Sequence, residues 1–260
     1  MSEALTGKRA WVCGASKGIG RAIAQALAEA GCELVLLARD AEALETLCAS
    51  LPCPTGQSHT SLAVDLADIP RLQALLELSE LPPAQILINN SGGPAPGPAH
   101  LAEPEAFALA FRQHLLAAQV LLQHLLPGMR AAGYGRVINI LSTSVKQPIA
   151  GLGVSNTIRG AVASWAKTLA SELGSVGITV NNILPGFTAT ERLDSLIAAR
   201  AERSGQSISA VAAAMRAEVP AGRFAEASET AAAVAFLASP AAAYINGINL
   251  PVDGGRTTCL

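Results

Sequence analysis

The sequence predicts an α/β fold: a doubly wound parallel sheet of about seven strands with helices on both faces. Three observations point to it. Short apolar runs alternate with helical patterns along the 260 residues, and each crossover is long enough to bring the next strand back parallel to the last. Half of the residues are hydrophobic and only 3% aromatic, so the abundant Ala, Leu and Gly let helix faces pack closely on a sheet. The first apolar run ends in a glycine-rich turn that opens directly into a helix, an order that places a ligand beyond the C-terminal ends of the strands.

Taken in order, strands are expected at 10–13, 34–38, 61–64, 86–89, 137–141, 179–183 and 247–252. Helices are expected near 18–30, 41–49, 68–79, 104–131, 153–174 and 228–238. The stretches 51–60 and 91–104 carry Pro, Gly and Ser and read as loops, too short to divide the chain. Residues 187–217 interrupt the alternation after the sixth strand with an Ala-rich, charged helical insertion. Its position makes it a candidate lid over a substrate; a solvated excursion is the alternative. The whole of 1–260 is expected to form one domain, because single cores grow to about 250–300 residues.

Composition narrows the function classes. A formal net charge of -2 gives no broad basic surface for nucleic acid, which leaves a small molecule as the expected partner. The N-terminal MSEALTGKRAWV has no long apolar region, and no later run approaches the roughly 20 apolar residues of a membrane span, so no membrane association is expected and the location is expected to be cytoplasmic. Cys13, Cys32, Cys48, Cys53 and Cys259 are odd in number and lack C-x-x-C spacing, which argues for reduced thiols and against a metal site.

The turn itself reads Cys13-Gly14-Ala15-Ser16-Lys17-Gly18-Ile19-Gly20. Glycines let backbone approach a phosphate closely, and a helix N-terminus offers unpaired N–H groups with a positive dipole end. Together these make a pyrophosphate cradle, the Rossmann-type arrangement. The G-x-x-x-G-x-G spacing of Gly14, Gly18 and Gly20 resembles that of the short-chain dehydrogenase/reductase family. Further matches follow in the family's order: Asp65 in AVDL, Asn89-Asn90-Ser91-Gly92 at the end of the fourth strand, Pro185-Gly186 with Thr190 as a P-G-x-x-x-T turn, and the tail INGINLPVDGG. The resemblance implies that Asp65 and Leu66 contact adenine, that Asn90, Ser91 and Gly92 line the cofactor, and that Pro185, Gly186, Thr188 and Thr190 lie beside the nicotinamide, with Ser16 and Ile19 in the glycine turn.

After the second strand an NAD enzyme places an acid to hold the ribose 2′-hydroxyl. Here Ala38 and then Arg39 follow. An Arg fork pairs with a 2′-phosphate, and Lys17 adds a second charge, so NADP(H) is the expected cofactor; either residue alone would read equally as a surface charge.

The catalytic end departs from the family. Its members carry an Asn, a Ser and a Y-x-x-x-K pair, the last two on one helix face by their i,i+4 spacing. Ser142 in VINILSTS matches the family Ser, but Ser155 stands at the Tyr position, Arg159 at the Lys position and His114 at the Asn position. A Ser hydroxyl is a far weaker acid than a phenol, and Arg stays protonated. Arg159 is expected to hydrogen-bond the ribose and to stabilise a developing oxyanion. Lys146 is an alternative proton donor if burial or Arg159 depresses its pKa, with an exposed loop lysine as the other reading. His114 has an ordinary pKa suited to a proton relay, or serves as a structural hydrogen-bonding group.

These features predict an NADP(H)-dependent oxidoreductase acting on a carbonyl or alcohol, resembling the 3-oxoacyl-carrier-protein reductase branch. A cofactor-binding pseudoenzyme with a sensing or assembly role, and a lyase or isomerase on the same fold, remain open. The resemblance also implies a homo-oligomer, a tetramer in the family's manner, with Ala- and Leu-rich faces of 104–131 and 153–174 offered for contact.

Overall fold

The computed structural model describes residues 4–79 and 81–259. Its strands are β1 (Arg9–Cys13), β2 (Glu33–Ala38), β3 (His59–Ala63), β4 (Ile86–Asn89), β5 (Gly135–Ile140), β6 (Ile178–Pro185) and β7 (Asn249–Val252). They form one parallel sheet in the order β3-β2-β1-β4-β5-β6-β7. The direction of winding reverses between β1 and β4, and the glycine turn lies at that switch point.

Alternation along each strand feeds two cores. Val12, Leu34, Leu36 and Ile88 point to one face, under α1 (Gly18–Glu29), α2 (Ala41–Ser50) and α9 (Ala227–Ala238). Trp11, Val35, Leu37 and Leu87 point to the other, under α3 (Ile69–Leu78), α5 (Ala117–Ala131) and α6 (Gly153–Leu173). Burial on both faces explains why the inner strands read as continuous apolar runs rather than as a polar/apolar alternation.

Some boundaries differ from expectation. The third strand was expected at 61–64 but runs His59–Ala63, because an edge strand, HTSLA, is only half covered and needs no apolar start. The last strand starts at Asn249 rather than 247, since the preceding segment is held by a side chain: Asn246 Nδ2 donates to the Ala170 carbonyl (2.8 Å) and its Oδ1 accepts from the Val180 N–H (2.9 Å). The single helix expected over 104–131 is α4 (Pro104–Phe111) and α5 joined by one π-helical turn, Arg112–Leu116. Such a turn shifts the hydrogen-bond register within an otherwise continuous helix and is frequent at functional sites.

The insertion forms α7 (Glu191–Ser204) and α8 (Ile208–Ala217), a pair with its own small core of Leu193, Ile197, Val211 and Met215. Across the sheet beneath the candidate site, one asparagine on each of four strands forms a ladder. Asn89 Nδ2 donates to Asn139 Oδ1, Asn139 to Asn182 and Asn182 to Asn249, each at 2.8 Å. Strand register places the four side by side, so that the buried amides of Asn139 and Asn182 find partners on both sides.

Candidate functional site

The glycine turn is held by backbone geometry and one side chain. Gly14 and Gly18 take left-handed conformations (φ 59° and 55°), where a Cβ is strained. Asn90 Nδ2 donates to the carbonyls of Cys13 (3.3 Å) and Gly14 (3.2 Å), pinning the turn to the end of β4. A Cβ on Gly14 would lie 2.7 Å from that Asn90 side chain, and one on Gly20 would lie 2.1 Å from the Gly14 carbonyl oxygen. The α1 N-terminus has no side-chain cap and no acid in its first turn, so its N–H groups are left for an anionic ligand, as a pyrophosphate requires.

The other sequence-marked positions gather along the same edge. Ser16 and Ile19 are half-buried in the turn, and Leu66 is buried after β3. Asp65 is exposed and accepts from the Ala67 N–H at 2.9 Å. Thr190 reaches the turn: its Cγ2 lies 3.4 Å from where a Gly18 Cβ would be, and its hydroxyl donates to the Thr188 carbonyl (3.2 Å), whose own hydroxyl donates to the Gly186 carbonyl (3.3 Å). Gly186 follows Pro185 closely against Asp253, leaving no room for a Cβ. Gly92 is exposed and open.

Arg39 is exposed at the end of β2 and makes no ion pair among the described residues, and buried Ala38 precedes it. Lys17 pairs with Glu191 of α7 (3.1 Å), but both side chains are about three-quarters exposed, at 74% and 77%. A pair this exposed is worth about 0–1 kcal/mol and leaves Lys17 free to turn to a phosphate. This donor set, basic and without an acid, fits a nucleotide bearing a 2′-phosphate.

At the candidate catalytic end, Arg159 lies 9% exposed against the end of β5. Its Nη1 donates to the carbonyls of Ile140 (3.0 Å) and Leu141 (2.8 Å), and its Nε donates to Ser155 Oγ (3.2 Å), one turn earlier on α6. Burial first, and then the nearby Arg192, push its pKa down to about 10, so it is still a cation near neutrality. Ser142, immediately after Leu141, accepts from the Ser144 N–H (3.1 Å), which leaves its own O–H proton uncommitted. Ser155, by accepting from Arg159, likewise keeps its proton to donate. The structure therefore brings Ser142, Ser155 and Arg159 onto one short stretch of the sheet edge.

Two expectations fare differently. His114, in the π turn, shares a 2.7 Å hydrogen bond through Nδ1 with Ser91 Oγ, while its buried Nε2 has no partner. Burial first, and then Arg159, push its pKa down to about 3, with the Gly92 backbone acting the other way. The ordinary imidazole pKa expected from the sequence is overturned by that environment, and His114 is neutral at physiological pH rather than a cationic relay. Lys146 is half-buried at the exit of the short turn after Ser142; among the described residues no hydrogen bond or ion pair of its side chain ties it to Ser142, Ser155 or Arg159.

Sequence reasoning missed the ladder and Arg192. The only signal for Arg192 was its place two residues after Thr190. It also missed two cavities. One of about 20 Å³, lined by Asn89, Ser91, His114 and Asn139, has the size and polarity for a single water rather than a substrate. The other, of about 460 Å³, lies between the α7/α8 pair and Ala150, lined by Arg200, Arg203, Met215 and Glu218, and holds no candidate catalytic residue.

Comparison with known proteins adds independent observations. A family model described as enoyl-(acyl carrier protein) reductase matches residues 14–257. The 3-oxoacyl-[acyl-carrier-protein] reductase of Vibrio cholerae is 33% identical over 253 residues, covering 96% of this chain and 98% of that protein. The crystal structure of L-sorbose reductase from Gluconobacter frateurii, complexed with NADPH and L-sorbose, is 32% identical, with a TM-score of 0.92 and 100% of each chain covered. That of an NADPH-dependent reductase involved in bacilysin biosynthesis is 29% identical, with a TM-score of 0.91 over 97% of this chain and 99% of that one.

Proposed function

The chain belongs to the short-chain dehydrogenase/reductase family, and on that premise we propose that it is a single-domain, NADP(H)-dependent oxidoreductase interconverting a carbonyl and an alcohol, with Ser142, Ser155 and Arg159 as its catalytic set. A 3-oxoacyl-like compound is the substrate class that the relatives suggest. The observation that carries the reading is the fixed guanidinium of Arg159, held by two strand-end carbonyls beside two serines with donatable protons.

The cradle of Gly14, Gly18, Gly20 and the α1 N-terminus would take the pyrophosphate, with Arg39 and Lys17 on the 2′-phosphate. When bound, NADPH supplies the hydride. The chain's part is charge stabilisation: the hydroxyls of Ser142 and Ser155 donate hydrogen bonds to the carbonyl oxygen, and Arg159 supplies fixed positive charge as that oxygen becomes an alkoxide, which takes its proton from water to give the alcohol. Neither Ser nor Arg matches a phenol as an acid, and general acid catalysis contributes about 10²- to 10⁴-fold, so turnover is expected to be modest.

Exposed Leu109 and Phe111 on α4 support a homo-oligomer through that helix, whereas α6 exposes no large apolar side chain among the described residues. Among those residues no helix is long and apolar enough to cross a membrane.

The test is NADPH oxidation across a panel of 3-oxoacyl, diketone and sugar-derived carbonyls. Arg159→Ala is expected to abolish turnover, and Ser142→Ala to reduce it. The double change Ser155→Tyr with Arg159→Lys is expected not to improve it. Activity that survives both single changes would overturn the catalytic assignment.

A further inference from the structure

Arg159 is not alone. From α7, the Nη2 of Arg192 reaches over the loop that follows β4, and the Nη2 of Arg159 reaches the same place from α6. A Cβ on Gly93 would lie 3.6 Å from Arg159 Nη2 and 3.7 Å from Arg192 Nη2. Two guanidinium groups from separate elements thus face one point.

Nothing in the chain neutralises them there. Arg159 uses Nε and Nη1 within the fold, and Arg192 donates one bond, from Nη2 to the Pro94 carbonyl at 3.1 Å. Among the described residues neither lies within 4.0 Å of a carboxylate. Of the two acids that flank Arg192 on α7, Glu191 pairs with Lys17 and Asp194 is exposed and makes no ion pair among the described residues. Two cations converge there, one from the buried Arg159 and one from the exposed Arg192, and burial first and then Arg192 lower the proton affinity of Arg159. Such an arrangement is satisfied by an anion with two oxygens, which guanidinium forks bind in a planar geometry.

We propose that Arg159, Arg192 and the open face of Gly93 form a receptor for a carboxylate on the substrate, so that the protein acts on oxo acids or hydroxy acids rather than on neutral carbonyls. The inference rests on the oxidoreductase reading and narrows its substrate class. Position supports it, since Nη1 of the same Arg159 is fixed to the two carbonyls immediately before Ser142. The carboxylate and the reacting carbonyl would therefore share one pocket. The cofactor's phosphates have a separate set of donors at the glycine turn and Arg39, and Gly93 is one residue beyond the Asn90-Ser91-Gly92 stretch assigned to it.

Calorimetry on the NADP⁺-saturated protein tests this without relying on turnover. Malonate and succinate are titrated beside their diamides and inorganic phosphate. At least one dicarboxylate is expected to bind while its diamide does not. Arg192→Gln is expected to weaken it about tenfold or more, the loss of a charge-assisted contact. Gly93→Ala, which puts a methyl at the shared point without a clash, is expected to do the same. NADP⁺ affinity is expected to be nearly unchanged in both. Equal binding of the diamides, binding of phosphate alone, no binding of either acid, or an equal loss of NADP⁺ affinity in Arg192→Gln would each overturn the proposal. NADPH oxidation with 2- and 3-oxo acids and their esters runs in parallel. Turnover of acids over esters supports the proposal, and turnover of esters with the acids inert overturns it. Carboxylate binding that depends on the pair, with no turnover of any compound, would sink the oxidoreductase reading and leave the carboxylate receptor standing.

Discussion

The nucleotide end and the catalytic end lie on the same edge of the sheet, yet they are made from different material. The first is a backbone device: two left-handed glycines, an uncapped helix and one asparagine that ties them to the neighbouring strand. The second is a side-chain device, in which Ser155 and Arg159 on α6 and His114 in the π turn meet the ends of β5 and β4 through hydrogen bonds of their side chains. A backbone site tolerates almost no change in residue type because its parts touch. A side-chain site can be rewritten, provided each new polar group finds a partner in the same frame. Arg159 does so by turning to two carbonyls.

If that contrast is right, the largest effect of any single change belongs to the nucleotide end. Gly20→Ala puts a methyl 2.1 Å from the Gly14 carbonyl oxygen, a contact that only backbone movement relieves. It is expected to abolish NADPH binding by fluorescence titration and to lower the melting temperature. Unchanged binding would show that the turn is looser than its geometry implies.

The contrast sharpens at His114. The imidazole is neutral in the folded protein with its pKa near 3, whereas an unfolded chain protonates it below about 6.5. The unfolded state therefore binds more protons between those values. The stability is fully present above the unfolded pKa and is lost as pH falls from about 6.5 toward about 3, by an amount on the order of a few kcal/mol. His114→Asn removes the group, so its melting temperature should fall less steeply between pH 7 and pH 4.5 than that of the unmodified protein. Parallel curves would mean that the ring is protonated in place or already open to water.

A smaller effect is expected at Arg39, which is exposed and under the proposed reading would govern selectivity rather than affinity for the whole nucleotide. Arg39→Asp should narrow or reverse a preference for NADPH over NADH, by about tenfold to a hundredfold, as read by calorimetry. Equal affinities in the unmodified protein would remove the 2′-phosphate from the account.

The same contrast explains what could be read in the sequence. Strands and helices were legible because both cores leave a periodic apolar trace, and the glycine turn because backbone constraints fix residue type at fixed spacing. The polar edge strand at His59–Ala63 was displaced because that trace fades where one side faces water. The π turn at Arg112–Leu116 changes only hydrogen-bond register, for which composition gives no sign. The asparagine ladder needs the register of four strands before any of its members has a partner. His114 and Arg192 depended on Arg159 in the same way. Burial and a neighbouring cation set the state of the histidine, and Arg192 has meaning only once two helices distant in sequence meet above Gly93.

The central claim is that the catalytic end works by fixed charge, with no group of its set titrating near neutrality, and the pH dependence of NADPH oxidation at saturating substrate tests it most directly. With His114 near 3 and Arg159 near 10, the account predicts a rate constant that is level within about twofold from roughly pH 6 to roughly pH 9. A titrating limb inside that range, retained in Arg159→Ala, would contradict it and point to a proton donor outside this set.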